Sequence, residues 1–143
     1  MKSTNLHVRK FEEGDRGMLQ ELYLLCRIQT FYWVDGSSFR LDEFDVDTKD
    51  EEILVCEFDG IIAGFIAIWK PDAFIHHLYV DAAYRRKGIG KLLLATAIKT
   101  TDQKLTLKCL IKNGNALNFY RTLGWEVIDT GADDLGDYFL MSN

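Results

Sequence analysis

The chain has 143 residues, of which 48% are hydrophobic and 27% charged, and its formal net charge is -5. This length suits one domain with its own core, so we treat residues 1–143 as a single domain. A general nucleic-acid binder is usually basic, so the acidic balance argues against that class. The longest apolar run, residues 60–69, is far shorter than the ~20 residues that span a bilayer. The first residues lack an apolar signal core, so we expect a cytoplasmic protein without a membrane partner.

Apolar periodicity predicts an alternation of strands and helices along the chain. Strand patterns are followed by a hairpin whose turn is Asp59-Gly60, and Pro71 lies at the next turn. In chain order the predicted elements are a strand at 5–11, a helix at 15–33, strands at 52–58, 61–69 and 74–80, a helix at 88–100, a strand at 104–111, a helix at 115–124, and strands at 125–129 and 137–142. This order predicts a mixed α/β sheet.

The three cysteines, Cys26, Cys56 and Cys109, are far apart in the sequence, and each lies among apolar residues. An odd number at such spacing favours buried thiols over disulfides or a zinc site. We therefore predict no metal cofactor.

A basic, glycine-rich turn, Arg85-Arg86-Lys87-Gly88-Ile89-Gly90, lies between a predicted strand and a predicted helix. The first turn of a helix has unpaired N–H groups and a partial positive charge, and glycine lets a ligand approach the backbone closely. The turn therefore predicts a phosphate site. The spacing is neither that of a P-loop nor that of a dinucleotide fingerprint, because Leu92 and Leu93 stand where a Ser/Thr and a third glycine are needed.

This turn resembles the Arg/Gln-x-x-Gly-x-Gly/Ala signature of the GNAT superfamily of acetyl-CoA-dependent N-acetyltransferases. A second segment, residues 113–127, is similar to that family's Asn-x-x-Ala-x-x-Phe-Tyr-x-x-x-Gly-Phe motif, with Trp125 in place of the last Phe. Ala82 departs from the family's usual Pro. The resemblance implies a mostly antiparallel central sheet, flanked by helices, with two splayed central strands, 74–80 and 104–111, that hold acetyl-CoA.

In the family, backbone groups of the first splayed strand bind the pantetheine arm, the glycine-rich turn binds the pyrophosphate, and the Asn of the second motif contacts the CoA arm. The cofactor-binding residues that this implies are Leu78, Tyr79, Val80, Arg85, Arg86, Lys87, Gly88, Ile89, Gly90, Lys91 and Asn113.

Direct acetyl transfer needs a base for the amine and benefits from an acid for the leaving thiolate. The resemblance gives Tyr120 the role of the acid, against the alternative of a core aromatic residue. The usual carboxylate positions are occupied by Phe74 and Lys108. His76 is then the candidate base, with Glu57 as a second candidate, although a structural histidine is an open alternative. Strand alternation places His77 on the opposite face.

The acceptor is predicted to be a primary amine, either a cationic small molecule or a peptide amine. Seven acidic residues lie in 41–52; they either steer a cation or form a solvated loop. Three aromatic residues in 30–33 are candidates for an acceptor wall or for core packing. A catalytically inactive acyl-CoA sensor, a nucleotide-binding interaction module and a homodimer are alternatives that the sequence leaves open.

Overall fold

The computed structural model of the protein describes residues 5–143. Its helices and strands follow the predicted order closely. In chain order they are β1 (Leu6–Lys10), α1 (Arg16–Thr30), α2 (Glu43–Asp47), β2 (Glu52–Phe58), β3 (Ile61–Trp69), β4 (Phe74–Val80), α3 (Ile89–Lys99), β5 (Thr106–Leu110), α4 (Gly114–Thr122), β6 (Glu126–Asp133) and β7 (Gly136–Ser142). Within these residues, none of the helices combines the length and the apolar character that crossing a membrane requires.

The strands form one sheet in the order β1-β2-β3-β4-β5-β7-β6. Neighbouring strands are antiparallel except for β4 and β5, which run parallel. The predicted mixed, mostly antiparallel sheet with flanking helices is therefore confirmed.

The parallel contact between β4 and β5 is short. It consists of the pairs Phe74 with Thr106 and Ile75 with Leu107, at the start of both strands. Beyond Ile75 the two strands separate, so the edge of β4 that faces β5 is left without strand partners from residue 76 to Val80. This separation is the splay that the family resemblance implies.

Two features of the predicted hairpin explain how β2 and β3 are joined. Asp59 and Gly60 have positive φ angles of 49° and 85°, which is the pair of left-handed residues that a type I′ turn requires. Phe58 then pairs directly with Ile61. The predicted two-residue turn is present.

The sheet separates two buried clusters. Alternation along β2 sends Ile53 and Val55 to the face covered by α1 and α2, and Leu54 and Cys56 to the face covered by α3 and α4. The apolar side chains of α1 recur at the sequence spacing that is typical of a half-buried helix, and they pack on the first face. All three cysteines are buried and free, as predicted.

The structure differs from the predicted elements at two places. Residues 43–47 form the short helix α2. The sequence did not predict this helix because the acidic stretch has no long apolar pattern. Phe44 anchors this helix because its fully buried ring meets the edges of Tyr23 and Phe65, with centroids 5.9 and 5.6 Å away. The predicted loop after residue 129 is instead a continuation of β6 to Asp133, where pairing with β7 makes a tighter hairpin.

Candidate active site

The separation of β4 from β5 opens a cleft of about 1570 Å³. It extends from the first turn of α3 and the start of α4, past the exposed edge of β4, to the end of α1 and the turn between β6 and β7. Of the residues predicted to bind the cofactor or to take part in catalysis, all line this cleft except Lys87 and the second base candidate, Glu57.

The glycine-rich turn forms a positively charged mouth at one end of the cleft. Gly88 is the N-cap of α3 with φ 84°, and Arg86 also has a positive φ of 63°. The backbone therefore reverses twice in three residues, just where the unpaired N–H groups of α3 begin. Arg85, Arg86 and Lys91 line the cleft beside these groups. The arrangement suits a phosphate group.

Lys87 is the predicted cofactor residue whose side chain the structure places elsewhere. Its ammonium lies over the ring of Phe58, 5.4 Å from the ring centroid, and away from the residues that line the cleft. The left-handed residues on either side of Lys87 turn successive side chains in different directions, which a linear motif does not show. Its backbone amide remains within the turn.

Gly90 brings α3 and α4 close together behind the cleft mouth. A Cβ atom at this position would lie 3.2 Å from Cζ of Phe119 and 3.7 Å from Cγ2 of Val80. Asn113 begins α4 as its N-cap, where the side-chain oxygen accepts a hydrogen bond from the amide of Ala116 at 3.3 Å. A side chain that was predicted to contact CoA therefore also has a structural task.

Tyr120 lies in the last turn of α4 and is 8% exposed. Its ring packs against Trp125, with centroids 5.9 Å apart, and the residue also lines the cleft. Burial raises the pKa of the phenol above its ordinary value. Tyr120 therefore holds its proton at neutral pH, as a proton donor must.

The two adjacent histidines of β4 share one site, which corrects the predicted alternation. Ala67 pairs with His77 and Ile68 with Ile75, so His76 is an extra residue at a β-bulge. A bulge breaks the two-residue alternation of a strand. The two imidazole rings stack with centroids 4.7 Å apart and planes 27° apart. Strand alternation alone was therefore wrong for His77.

Glu51 is the carboxylate at this histidine pair, and it was not singled out from the sequence. Its Oε2 lies 2.7 Å from Nδ1 of His76, and its side chain is 2% exposed. Glu57, the second base candidate, instead pairs with Arg9 at 3.1 Å and does not line the cleft. The prediction for Glu57 therefore loses its geometric basis.

The surroundings shift the pKa values of the two histidines in opposite directions. The hydrogen bond that His76 donates to Glu51 raises the pKa of His76 above its usual value of 6.5, and this effect exceeds the lowering effect of partial burial. Burial lowers the pKa of His77 to about 4. At neutral pH His77 is therefore uncharged, while His76 titrates above the usual range.

Glu51, His76 and His77 are also the group that has metal-ligand spacing within residues 5–143, since their ligand atoms lie within 4.8 Å of one another. A metal ion needs lone pairs that converge on one point. The nearly parallel imidazole planes hold the lone pairs of the two rings apart, and Nδ1 of His76 faces the carboxylate at hydrogen-bond distance. The geometry fits a hydrogen-bonded pair better than a metal centre.

The other end of the cleft is formed by two connecting segments. Phe31 and Tyr32, at the end of α1, line it together with Asp133 and Asp134 of the β6–β7 turn. The segments are tied together because Nε1 of Trp33 donates to the backbone oxygen of Leu135 at 2.8 Å. Two of the three aromatic residues in 30–33 therefore line the cleft, while Trp33 ties the two segments together.

Most acidic side chains of the stretch 41–52 form ion pairs or hydrogen bonds with other residues of the protein. Asp45 contacts Arg16 at 2.6 Å, and Glu43 contacts Arg27 at 3.4 Å. Asp47 accepts a hydrogen bond from Tyr23 at 2.6 Å and lines the cleft. The stretch serves more to hold α2 on α1 than to present free negative charge.

Comparison with known proteins agrees with this geometry. Residues 18–125 match the model of the Acetyltransferase (GNAT) family. The chain belongs to the GNAT family. This membership makes the protein an acetyl-CoA-dependent acyltransferase.

Among GNAT relatives, the peptidyl-lysine N-acetyltransferase YiaC of Escherichia coli is 29% identical over 133 residues, which cover 89% of this chain and 88% of YiaC. The uncharacterized N-acetyltransferase MJ1207 of Methanocaldococcus jannaschii is 33% identical over 92 residues, or 54% of this chain and 41% of that protein. The chain therefore spans less than half the length of this second relative.

Solved GNAT structures share the fold across the whole domain. The structure of YjaB from Escherichia coli has a TM-score of 0.80 at 17% identity and covers 96% of this chain and 97% of its own. An N-acetyltransferase from Thermoplasma acidophilum, solved in complex with coenzyme A, has a TM-score of 0.78 at 21% identity and covers 97% of this chain and 98% of its own.

Gly88 is predicted to be required for tight CoA binding by the glycine-rich turn. A Cβ at Gly88 would meet no atom within 4 Å, so the cost of Gly88→Ala comes from its left-handed backbone and not from crowding. Relief of that strain moves the amides of the turn. Because each contact at a helix N-terminus contributes roughly 0.3–1 kcal/mol, we expect CoA affinity to fall about tenfold in calorimetry.

Gly60→Ala is the matched control, since Gly60 has φ 85° and equally open surroundings in the β2–β3 turn. Both variants should lose similar thermal stability, whereas CoA affinity should change in Gly88→Ala alone. Equal CoA affinities for the two variants would place the phosphate site elsewhere.

Proposed function

We propose that this GNAT enzyme transfers the acetyl group of acetyl-CoA directly to a primary amine, with both substrates bound in one ternary complex. The observation that carries the proposal is the continuity of the cleft. Its phosphate-binding mouth and its aromatic, partly acidic end are joined along the open edge of β4. An acyl donor and an acceptor that enter from opposite ends would meet beside β4.

The donor would be held mainly by backbone groups. Leu78, Tyr79 and Val80 line the cleft where β4 has left β5, so the pantetheine arm can pair with β4 as an added strand. The amides of residues 86–91 would bind the pyrophosphate, and Asn113 would contact the arm from the start of α4. Backbone binding explains why motif spacing is more informative here than side-chain identity.

His76 is proposed as the proton acceptor for the amine. It lies at the bulge of β4, lines the cleft and keeps half of its side chain exposed. The base nitrogen takes a proton from the ammonium, directly or through water, and the freed lone pair attacks the thioester carbon. Glu51 gives this site a carboxylate although Phe74 and Lys108 occupy the usual positions, which favours an active enzyme over an inactive sensor.

Protein lysine side chains are the first acceptors to test. YiaC, which aligns along almost the whole chain, is a peptidyl-lysine N-acetyltransferase. Asp47, Asp133 and Asp134 line the cleft away from the phosphate turn, where a cationic side chain would gain from their charge. An open cleft also admits an amine that is attached to a larger chain.

An acceptor assay tests the proposed function. Purified protein and acetyl-CoA are mixed with a lysine-containing peptide whose α-amine is blocked, and release of the CoA thiol is followed. We expect thiol release with matching acetylation by mass spectrometry, and intersecting initial-rate plots as a ternary complex requires. The same peptide with its lysine already acetylated is the control. Tight CoA binding without transfer to this peptide, an unblocked peptide or a polyamine would instead support the inactive sensor.

His76→Ala is predicted to remove the acidic limb of the pH profile of kcat/KM. The base must be neutral to accept a proton, and its raised pKa places the midpoint of that limb above 6.5 in the unaltered enzyme. Activity should therefore rise as the pH increases through this value, and the variant should lose about 10²–10⁴-fold in rate. His7→Ala, on the exposed face of β1, should retain the limb. An unchanged limb in His76→Ala would assign the proton to solvent.

Tyr120→Phe is predicted to lower kcat by about 10²–10⁴-fold with little change in the KM for acetyl-CoA, because the proton is needed as the thiolate leaves. The substitution keeps the ring that packs on Trp125. The loss should shrink with acyl donors whose thiol is more acidic. Tyr138→Phe, a β7 tyrosine outside the cleft lining, is the control. An unaltered kcat under chemistry-limited conditions would make Tyr120 a packing residue.

A further inference from the structure

Glu51 is a buried carboxylate with very few partners. Its side chain is 2% exposed, and Oε1 makes no hydrogen bond within the described chain. Its other oxygen contacts Nδ1 of His76 at 2.7 Å, while Nε2 of His77 lies 4.0 Å from Oε1. Burial of an unpaired charge is costly. The carboxylate therefore depends on His76 as its charge and hydrogen-bond partner.

The surroundings of His76 single out Glu51 from the other nearby charges. Asp47 of α2 and Lys108 of β5 act on the ring with opposite signs and through space, whereas Glu51 acts through a hydrogen bond and has the largest effect. His77 stays uncharged in its buried position. The pair formed by Glu51 and His76 is thus the dominant polar contact at the bulge.

The packing around the pair limits the rotation of the imidazole. Phe74 and His77 contact the His76 ring, with centroids 5.7 and 4.7 Å away. His77 is in turn held by the backbone oxygen of Asp47 at 3.3 Å and by the edge of the Tyr23 ring, with centroids 5.2 Å apart. A ring held in this way presents the same nitrogen to the carboxylate in every catalytic cycle.

We propose that Glu51 is a positioning residue for acetyl transfer, because its buried carboxylate accepts the Nδ1–H of His76 and leaves Nε2 as the proton-accepting atom. This inference rests on the proposed function, in which His76 is the base. In the neutral imidazole one nitrogen carries hydrogen and the other a lone pair. Fixing the first at Nδ1 fixes the second at Nε2.

The proton balance of the step is complete with these groups. Nε2 takes a proton from the acceptor ammonium, and the imidazolium that forms keeps its Nδ1–H on Glu51. The amine nitrogen then bonds to the acetyl carbon, the carbon–sulfur bond breaks, and the thiolate takes the proton of Tyr120. The new amide nitrogen gives its remaining extra proton to the tyrosinate, directly or through water, and His76 releases its proton to solvent before the next cycle. Glu51 stays ionised throughout and stabilises the positive charge that appears on His76.

The test compares Glu51→Gln with Glu57→Gln. Glutamine keeps the shape of the side chain and removes the charge, and Glu57 is a carboxylate outside the cleft that pairs with Arg9. In Glu51→Gln the His76 resonances in an NMR titration should show a pKa that falls back towards 6.5. The acidic limb of kcat/KM should move to lower pH by the same amount. Above that limb the rate should fall between about 10-fold and 10⁴-fold, with unchanged CoA affinity. Glu57→Gln should leave the titration and the limb in place.

Two further measurements separate the possible failures. Combined with His76→Ala, Glu51→Gln should add no further loss if it acts through the histidine. An unshifted His76 titration in Glu51→Gln, confirmed as folded by circular dichroism, would overturn the inference. If Glu51→Gln does not fold, Glu51→Asp keeps the charge on a shorter arm, and an unaltered titration and rate there would overturn it equally.

A normal pH profile in His76→Ala would overturn the base role in the proposed function and the role of Glu51 with it. An effect of His76→Ala without an effect of Glu51→Gln would overturn the role of Glu51 alone. Loss of activity on dialysis against a chelator, restored by zinc, would replace the hydrogen-bonded pair by a metal site at the same three side chains.

Discussion

The parallel junction between β4 and β5 is the constraint on which the cleft depends. Two residue pairs join the four-stranded half of the sheet to the three-stranded half. Because both strands run the same way, the helix that follows each one begins at the same end of the sheet. The turn before α3 and the N-cap of α4 are therefore neighbours at the mouth of the cleft. The divergence creates the open strand edge, and the parallel direction brings the first turn of α3 and the start of α4 to it.

The end of the cleft formed by the glycine-rich turn and the start of α4 could be located from the sequence because its parts are local in the chain. The glycine-rich turn from Arg85 to Gly90 occupies one short segment, and the motif that starts at Asn113 occupies another. Each is a strand end followed by a helix start, and local backbone conformation determines what it can bind. Lys87 is the exception, since the direction of one side chain within a doubly reversed turn depends on φ angles that a motif does not encode.

The other end of the cleft and the histidine pair were harder to predict because distant segments form them. Glu51 precedes β2, His76 follows 25 residues later, and Tyr32 and Asp134 come from loops at opposite ends of the chain. The extra residue at position 76 also interrupts the two-residue alternation of β4. A β-bulge has no clear sequence signature in a run such as Phe-Ile-His-His-Leu, so the sequence did not predict it. In the acidic stretch, seven similar charges gave no indication that the side chain of Glu51 would be buried against His76.

Because only two residue pairs join the two halves of the sheet, the junction also affects how easily the domain opens locally. A molecule that pairs with the open edge of β4 would act as an added strand, and any ligand that binds the folded chain alone stabilises it by RT ln(1 + [L]/Kd). The concentration of acetyl-CoA and the free energy of local opening are then coupled. If acetyl-CoA pairs with this edge as proposed, a copy of the protein without it would open more readily along the junction, and be more accessible to proteases there, than a saturated copy. Through this linkage, the lifetime of the enzyme in a cell would follow the abundance of its own cosubstrate.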